Sequence, residues 1–425
     1  MATRQKHRYP TESADIKHFI SGEKKRNDHY LHAVIRFDRT VDVDLLRNAV
    51  QATFRAVPLL TCRFVESGEK AFWEEAGWTA REMVSLIEST DREKDVQAHL
   101  VIKPDEKAGP QLRITVVREK NADTLAFIMN HMICDGGGMK DYLYLLSQCY
   151  SVLAAGPDHP MPDMPDPALR SINQVFSGMS REQKDRIRQA QLSPYVQSER
   201  DHLPLTGDEH HPFVITHQVP AEQFDSIKDY AKRRGATVND ALFAAYVCAL
   251  SEALSTDLIV LDCPVNSRAY LPKDYRPGIC NLTSNIICAV PSHAGESFDE
   301  ALASVKKVMD RQKGSLEPFK VYWDLEEVYR TLPLPEAKKR FPKIYSIPFN
   351  GMTNIGIIDD RILSFKGLHV RDAFISGSIK YAPYFQIAVT TFRKAMTFST
   401  NFHGTEADRE WLDRFVKRMI GYFPK

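Results

Sequence analysis

Residues 130–138 read Asn130-His131-Met132-Ile133-Cys134-Asp135-Gly136-Gly137-Gly138. The apolar stretch Thr124-Leu125-Ala126-Phe127-Ile128-Met129 precedes them, and Tyr142 to Leu153 follows with apolar residues at helical spacing. The order is therefore strand, loop, helix, with an imidazole offered at the loop. Three successive glycines remove side-chain bulk and let the backbone turn sharply. Asp135 stands just ahead of the helix, where a carboxylate suits the positive end of the helix dipole.

His131 can act as a general base near neutral pH, because an unperturbed imidazole titrates at about 6.5. A lone histidine beside a strand can equally be a packed or solvated residue. A metal reading of His131 with Asp135 needs a continuous helix, which the strand and the glycines oppose, and no third ligand stands nearby. Cys134 is a candidate nucleophile, but no second base accompanies it and its neighbours are apolar, which favours packing.

The 425 residues leave room for two or three domains at roughly 150 each. Fifty-six basic and 55 acidic residues give a net charge of +1, so no bulk field draws the chain to nucleic acid or an anionic membrane. A local basic patch remains open. The seven cysteines are irregularly spaced without a C-x-x-C pair, which points to buried free thiols in a reducing compartment. The basic start is not followed by an apolar signal core, and no run approaches the ~18 apolar residues of a membrane span. A cytoplasmic location is expected.

Strands are expected at Tyr30–Phe37, Leu59–Val65, 70–73, Gln111–Glu119 and Thr124–Met129, with a helix capped at Asp42 or Asp44. Residues 156–167 hold five prolines in twelve positions, which excludes helix and inner strand and marks a linker. Residues 1–155 thus form a first half, 156–211 a linker and crossover, and 212–425 a second half on the same general plan. His210-His211 ends the crossover and reads as an ordinary loop. In the second half, Thr237 caps a strongly apolar helix to Leu254. A strand over 258–268 ends in polar residues, 277–287 is a turn then a strand, 350–359 a turn and strand, strands follow at 373–375, 385–391 and 395–402, and a last helix starts at Thr405.

His131-x-x-x-Asp135-Gly136 after a strand resembles the active-site motif of the CoA-dependent acyltransferase superfamily, which includes chloramphenicol acetyltransferase, alcohol acetyltransferases and the condensation domains of peptide synthetases. Asn130 stands where condensation domains usually carry a first histidine. Pro264-Val265-Asn266-Ser267-Arg268 resembles a second signature, and Thr353-Asn354-Ile355-Gly356 resembles the Ser-Asn-x-Gly strand. The plant Asp-Phe-Gly-Trp-Gly motif has no counterpart; Ser364–Leu368 is a distant echo.

The resemblance implies an α+β fold of two chloramphenicol acetyltransferase-like halves with a tunnel between them. It implies His131 as general base and an Arg268–Asp135 ion pair that makes Asp135 and Gly136 structural. Arg63 is either a plain strand residue or a further holder of the carboxylate. Gly137, Asn281, Thr283, Ser284 and Asn285 are candidates for tunnel lining or for stabilising an oxyanion. No metal or permanently bound cofactor is implied. The co-substrate is acyl-CoA, or an acyl-carrier phosphopantetheine, and the acceptor a small alcohol or amine, with the chain acting as a monomer. Two alternatives stay open: a stand-alone condensation enzyme taking its thioester from a carrier protein, and a non-catalytic binding protein of the same fold.

Overall fold

The computed structural model describes residues 6–192, 198, 201–254 and 256–424. Two large mixed sheets carry the fold, and a small three-stranded sheet flanks the first. The first large sheet has five strands in the spatial order Val370–Ser376, Tyr30–Phe37, Ala122–Asn130, Leu112–Glu119 and Val84–Glu88. Leu112–Glu119 and Ala122–Asn130 form a hairpin around Lys120 and Asn121, so the motif strand lies in the middle of the sheet.

The alternation in Tyr30–Phe37 suggests one wet face, yet both faces are covered. Leu31, Ala33, Ile35 and Phe37 join the main core of the first half. Val34 on the opposite face packs with Val96, Leu100, Ala126, Val214 and Phe374. His32 is fully buried, and its ring nitrogen meets the Gly377 carbonyl at 2.9 Å. A buried imidazole is tolerated there because a backbone acceptor satisfies it.

The expected strand at Leu59 starts later. Pro58–Thr61 forms a 3₁₀ turn, with its proline at the first helical positions, and the strand runs Cys62–Ser67. On that strand Arg63 donates to Glu74 at 2.6 Å, so it holds a carboxylate of the small sheet and not that of the motif.

The second large sheet has seven strands, ordered Thr283–Pro291, Leu258–Asn266, Asn350–Ile358, Phe385–Phe392, Ala395–His403 and Lys380–Tyr381, with Pro212–Val219 also on Ala395–His403. Helix Val238–Leu254 fills its core. Its twelve buried residues match its all-round apolar sequence, and Thr237 and Asp240 cap it reciprocally. Residues 156–167 contain no helix or strand.

Two departures from the expected plan shape the centre. Val370–Ser376 leaves its own half and pairs antiparallel with Tyr30–Phe37 in the first sheet. Asn350–Ile358 pairs with Leu258–Asn266 only at Asn350 and Gly351, after which the two strands diverge. The gap between them opens toward the motif. Ile355 meets Gly136 there, and Lys140 donates to the carbonyls of Ile355 and Ile357, docking this strand on the motif helix.

Candidate active site

The motif strand ends at Asn130, and the ladder with Tyr30–Phe37 is carried one step further by the His131 amide, which donates to the His29 carbonyl at 2.9 Å. Asn130 then folds the loop over. Its side chain accepts the Met132 amide at 2.9 Å and donates to Gln111 at 2.7 Å. Asn281 donates to the His131 carbonyl at 2.9 Å and to that of Met132 at 3.2 Å. With the loop so tied, the His131 ring lines a cavity of about 130 Å³ that opens to solvent. Among the described residues Nε2 has no hydrogen-bond partner, whereas Nδ1 is buried without one, and the ring lines the cavity. Burial lowers the pKa of the ring to about 4, with Lys17 and Lys380 adding to the effect, so the resting imidazole is neutral.

Asp135 caps the motif helix, Gly136–Ala155, by accepting the Gly138 amide at 2.8 Å. It also accepts the Leu282 amide at 2.6 Å and the Thr283 hydroxyl at 2.8 Å. Arg268 completes the clamp, but not as a two-nitrogen fork. Its Nη1 lies 2.9 Å from one carboxylate oxygen and 3.0 Å from the other, while Nη2 donates to the Cys280 carbonyl at 2.8 Å. Burial alone would raise Asp135; the guanidinium and the other donors overcome that and hold its carboxyl at about 2.

The glycines serve this clamp rather than a sharp turn. All three lie in the first turn of the helix, and none has positive φ. A Cβ on Gly137 would stand 2.8 Å from Arg268 Nη1, and one on Gly138 would stand 2.7 Å from the Cys134 side chain. Cys134 is buried with its thiol against Met129 Sδ at 3.3 Å, and burial pushes the thiol well above its ordinary range.

The residues offered as tunnel lining separate. Gly136, Gly137, Thr283 and Asn285 line the cavity. Ser284 does not: it is buried and its hydroxyl donates to the Pro318 carbonyl at 2.6 Å, which follows from strand alternation between Thr283 and Asn285. Asn281 supports the loop from behind. The Thr283 hydroxyl is committed to Asp135 and so is no free oxyanion donor. His211 pairs with Asp208 at the surface, 2.7 Å away.

Five cavity residues carry no mark in the sequence. His18, on the first helix (Ser13–Glu23), stacks on His131 with ring centroids 3.8 Å apart. Burial, with the neighbouring imidazole and Lys17, depresses its pKa strongly. Lys17 beside it donates to the Tyr322 hydroxyl at 3.3 Å and lies over the Tyr345 ring at 4.8 Å. The first helix is anchored by Asp15, which takes Arg170 at 2.9 Å and the Trp73 indole at 3.0 Å; Arg170 also reaches the Met132 carbonyl. Across the cavity, the Tyr345 hydroxyl donates to Asn285, whose amide donates to Asp262 at 2.7 Å. Burial lifts the Asp262 carboxyl to about 6. Lys380 completes the set.

The Condensation domain family model matches residues 17–421. The chain belongs to the condensation domain family. Solved structures agree on the fold at low sequence identity. The first condensation domain of the CDA synthetase superposes with a TM-score of 0.68 at 16% identity, covering 99% of this chain and 97% of that one. TRI3 trichothecene 15-O-acetyltransferase from Fusarium sporotrichioides gives 0.70 at 14%, covering 99% and 96%. Polyketide synthase associated protein 5 from Mycobacterium tuberculosis gives 0.63 at 14%, covering 96% of each. No curated protein sequence matched. The mixed α/β fold is thus one shared by condensation domains and an O-acetyltransferase, and acyl transfer is the chemistry it supports in general. Among the described residues, no helix is long and apolar enough to cross a membrane.

Proposed function

We propose that this condensation-family protein moves an acyl group from a thioester, acyl-CoA foremost, to a hydroxyl or amine of a small molecule in the cavity, with His131 as general base. The observation that carries this reading is the neutral imidazole that lines the cavity, its Nε2 without a partner among the described residues, while the loop carboxylate is fully engaged elsewhere.

Nε2 takes the acceptor's proton as its oxygen or nitrogen attacks the thioester carbonyl, forming a tetrahedral oxyanion. Collapse of that adduct breaks the carbon–sulfur bond, and the departing sulfur takes the proton back from the imidazolium. A positioned base contributes roughly 10²–10⁴-fold, and bringing two substrates together in one cavity adds to it. Asp135 stays ionised and carries no proton; its part is to fix the loop. Thr283 and Asn285 are occupied, so the oxyanion falls to the amides of Gly136 and Gly137, the first of a 20-residue helix, whose dipole favours negative charge.

The test is a panel of acyl-CoA esters and acyl-carrier thioesters against alcohols and amines, read by product mass and release of free thiol. Acylated product with stoichiometric thiol, lost in His131→Ala, is expected. Binding of thioesters with no product from any pair would end the reading and leave a binding protein. Turnover confined to carrier-bound donors would replace CoA and keep the base.

A further inference from the structure

The cavity wall mixes apolar surface with several buried charged groups. Its lining brings together Lys17, Asp262 and Lys380 in addition to the two stacked, neutral imidazoles and the clamped Asp135. Leu31 and Ile355 are among the apolar side chains that border it. An apolar acyl chain or terpene-like acceptor would leave these ammonium groups desolvated against hydrocarbon, which is costly for any buried charge.

Lys380 is the decisive group. It sits on a two-residue strand beside Phe402 and His403 and is 8% exposed. Among the described residues its ammonium has no hydrogen-bond or ion-pair partner, and it borders the cavity. The two carboxylates that act on it from a distance are each held by hydrogen bonds to one oxygen. Asp28 accepts the amides of Tyr30 at 3.2 Å and Ile379 at 2.9 Å. Asp262 accepts the Asn285 amide, which the Tyr345 hydroxyl orients. Neither comes within ion-pair distance of Lys380. Arg26, the other cation nearby, donates to the Tyr345 carbonyl at 3.0 Å. Lys17 is held by Tyr322 and Tyr345 in the same wall system, so the cavity presents two ammonium groups to one unclamped carboxylate.

We propose that Lys380, seconded by Lys17, forms a carboxylate subsite, and that the substrate of this cavity carries a free carboxylate. An ammonium with open N–H donors in a poorly solvated wall is matched by a carboxylate oxygen, and the charge-assisted bonds so formed are about twice as strong as neutral ones. The subsite rests on the reading of this cavity as the acyl-transfer site. The carboxylate can come from either substrate, an amino acid-like acceptor or a dicarboxylic acyl group, and the chemistry that recognises it is the same.

Two matched pairs test the subsite. L-Tyrosine against tyrosinamide places the carboxylate on the acceptor, and succinyl-CoA against butyryl-CoA places it on the acyl group. Binding is measured by calorimetry on the full chain carrying His131→Ala, so that it is read without turnover, and again with Lys380→Met added. Melting temperatures verify that each variant is folded. In at least one pair the carboxylate member is expected to bind tenfold or more tighter than its neutral partner, and Lys380→Met should bring the two within about threefold, as loss of a charged hydrogen bond predicts. Lys17→Met should reduce the preference by less. Equal binding within both pairs, binding by neither member, or a preference that survives Lys380→Met would overturn the subsite. A carboxylate preference that Lys380→Met removes, in a protein that transfers no acyl group, would keep the subsite and discard the catalytic reading.

Discussion

Each half of the molecule ends a sheet in the same way, yet only one end reaches the cavity. In the first half, a hairpin turned at Lys120-Asn121 leads into Ala122–Asn130, which pairs with Tyr30–Phe37 and runs into His131, Asp135 and the motif helix. In the second, a hairpin turned at Arg393-Lys394 leads into Ala395–His403, which pairs with Pro212–Val219 and runs into Thr405, Asp408 and helix Glu406–Gly421. Both have a histidine at the strand end and a carboxylate at the helix start. His403, however, is buried, stacked on Tyr381 at 4.0 Å, with its Nδ1 at the Glu209 carbonyl. Asp408 accepts amides from Thr206, Gly207 and Thr405, all from nearby loops. Asp135 is gripped instead by Arg268 from the opposite half. Strand, histidine, carboxylate and helix therefore make a structural corner; the proposed chemistry belongs to the one whose ring lines the cavity and whose carboxylate is held by Arg268.

The largest expected effect separates the two histidines. His131→Ala should lower turnover by at least about 10²-fold with the melting temperature little changed. His403→Ala should lower the melting temperature and leave turnover within about threefold. If both variants lost turnover alike at equal stability, the distinction between the corners would be void.

The carboxylates come next. Arg268→Ala leaves Asp135 buried and unpaired, and breaking a buried pair in this way costs about 3–5 kcal/mol. Asp408→Asn keeps an acceptor for the surrounding amides and should cost about 1 kcal/mol, as for a weakened cap. Denaturant midpoints measure both, and an Arg268→Ala protein as stable as Asp408→Asn would show that the cross-half clamp is dispensable.

The pH dependence sharpens the electrostatics. His131 is held neutral by burial at about 4 against an ordinary value of about 6.5. Between those values the unfolded chain binds a proton that the folded one refuses, so stability is present above about 6.5 and is lost as pH falls toward 4. His18, shifted in the same direction, steepens that loss. The acid limb of kcat/KM, which reports the free protein, should accordingly lie near 4; a limb at about 6.5 would mean a ring in contact with bulk water.

Much of this arrangement was legible because it is local. Apolar runs and caps set most strands and helices within a few residues, and the proline cluster at 156–167 keeps that stretch free of helix and strand. The glycine run suggests a turn, whereas it is a close approach: its missing side chains make room for Arg268 and the Cys280 carbonyl, both distant in sequence, and for Cys134 just before the helix. Tyr30–Phe37 alternates, but Val96 and Leu100 of the helix Arg92–Leu100, with Val214, cover its second face around Val34. Lys17, His18, Asp262 and Lys380 stand in no motif or spacing that marks them. Only the tertiary crossing of the 370–381 segment and the splitting of two strands bring these four to one cavity, and no sequence period encodes such a meeting.

Each of the two histidines has a stacked ring partner: Tyr381 for His403, the His18 imidazole for His131. If His18 is a positioning residue, it acts by holding the His131 ring flat against one wall and by keeping water from its face. His18→Phe preserves a stacked ring and should change kcat by less than about threefold. His18→Ala removes a contact of the order of 0.5–1.5 kcal/mol and should lower kcat by up to about tenfold, with KM nearly constant. Water admitted beside His131 would also relieve part of its desolvation, so the acid limb should move upward from about 4 in His18→Ala and stay in place in His18→Phe. A merely structural contact would lower stability in both variants without moving that limb, and a limb that shifts equally in both would assign His18 a proton-handling role in place of a positioning one.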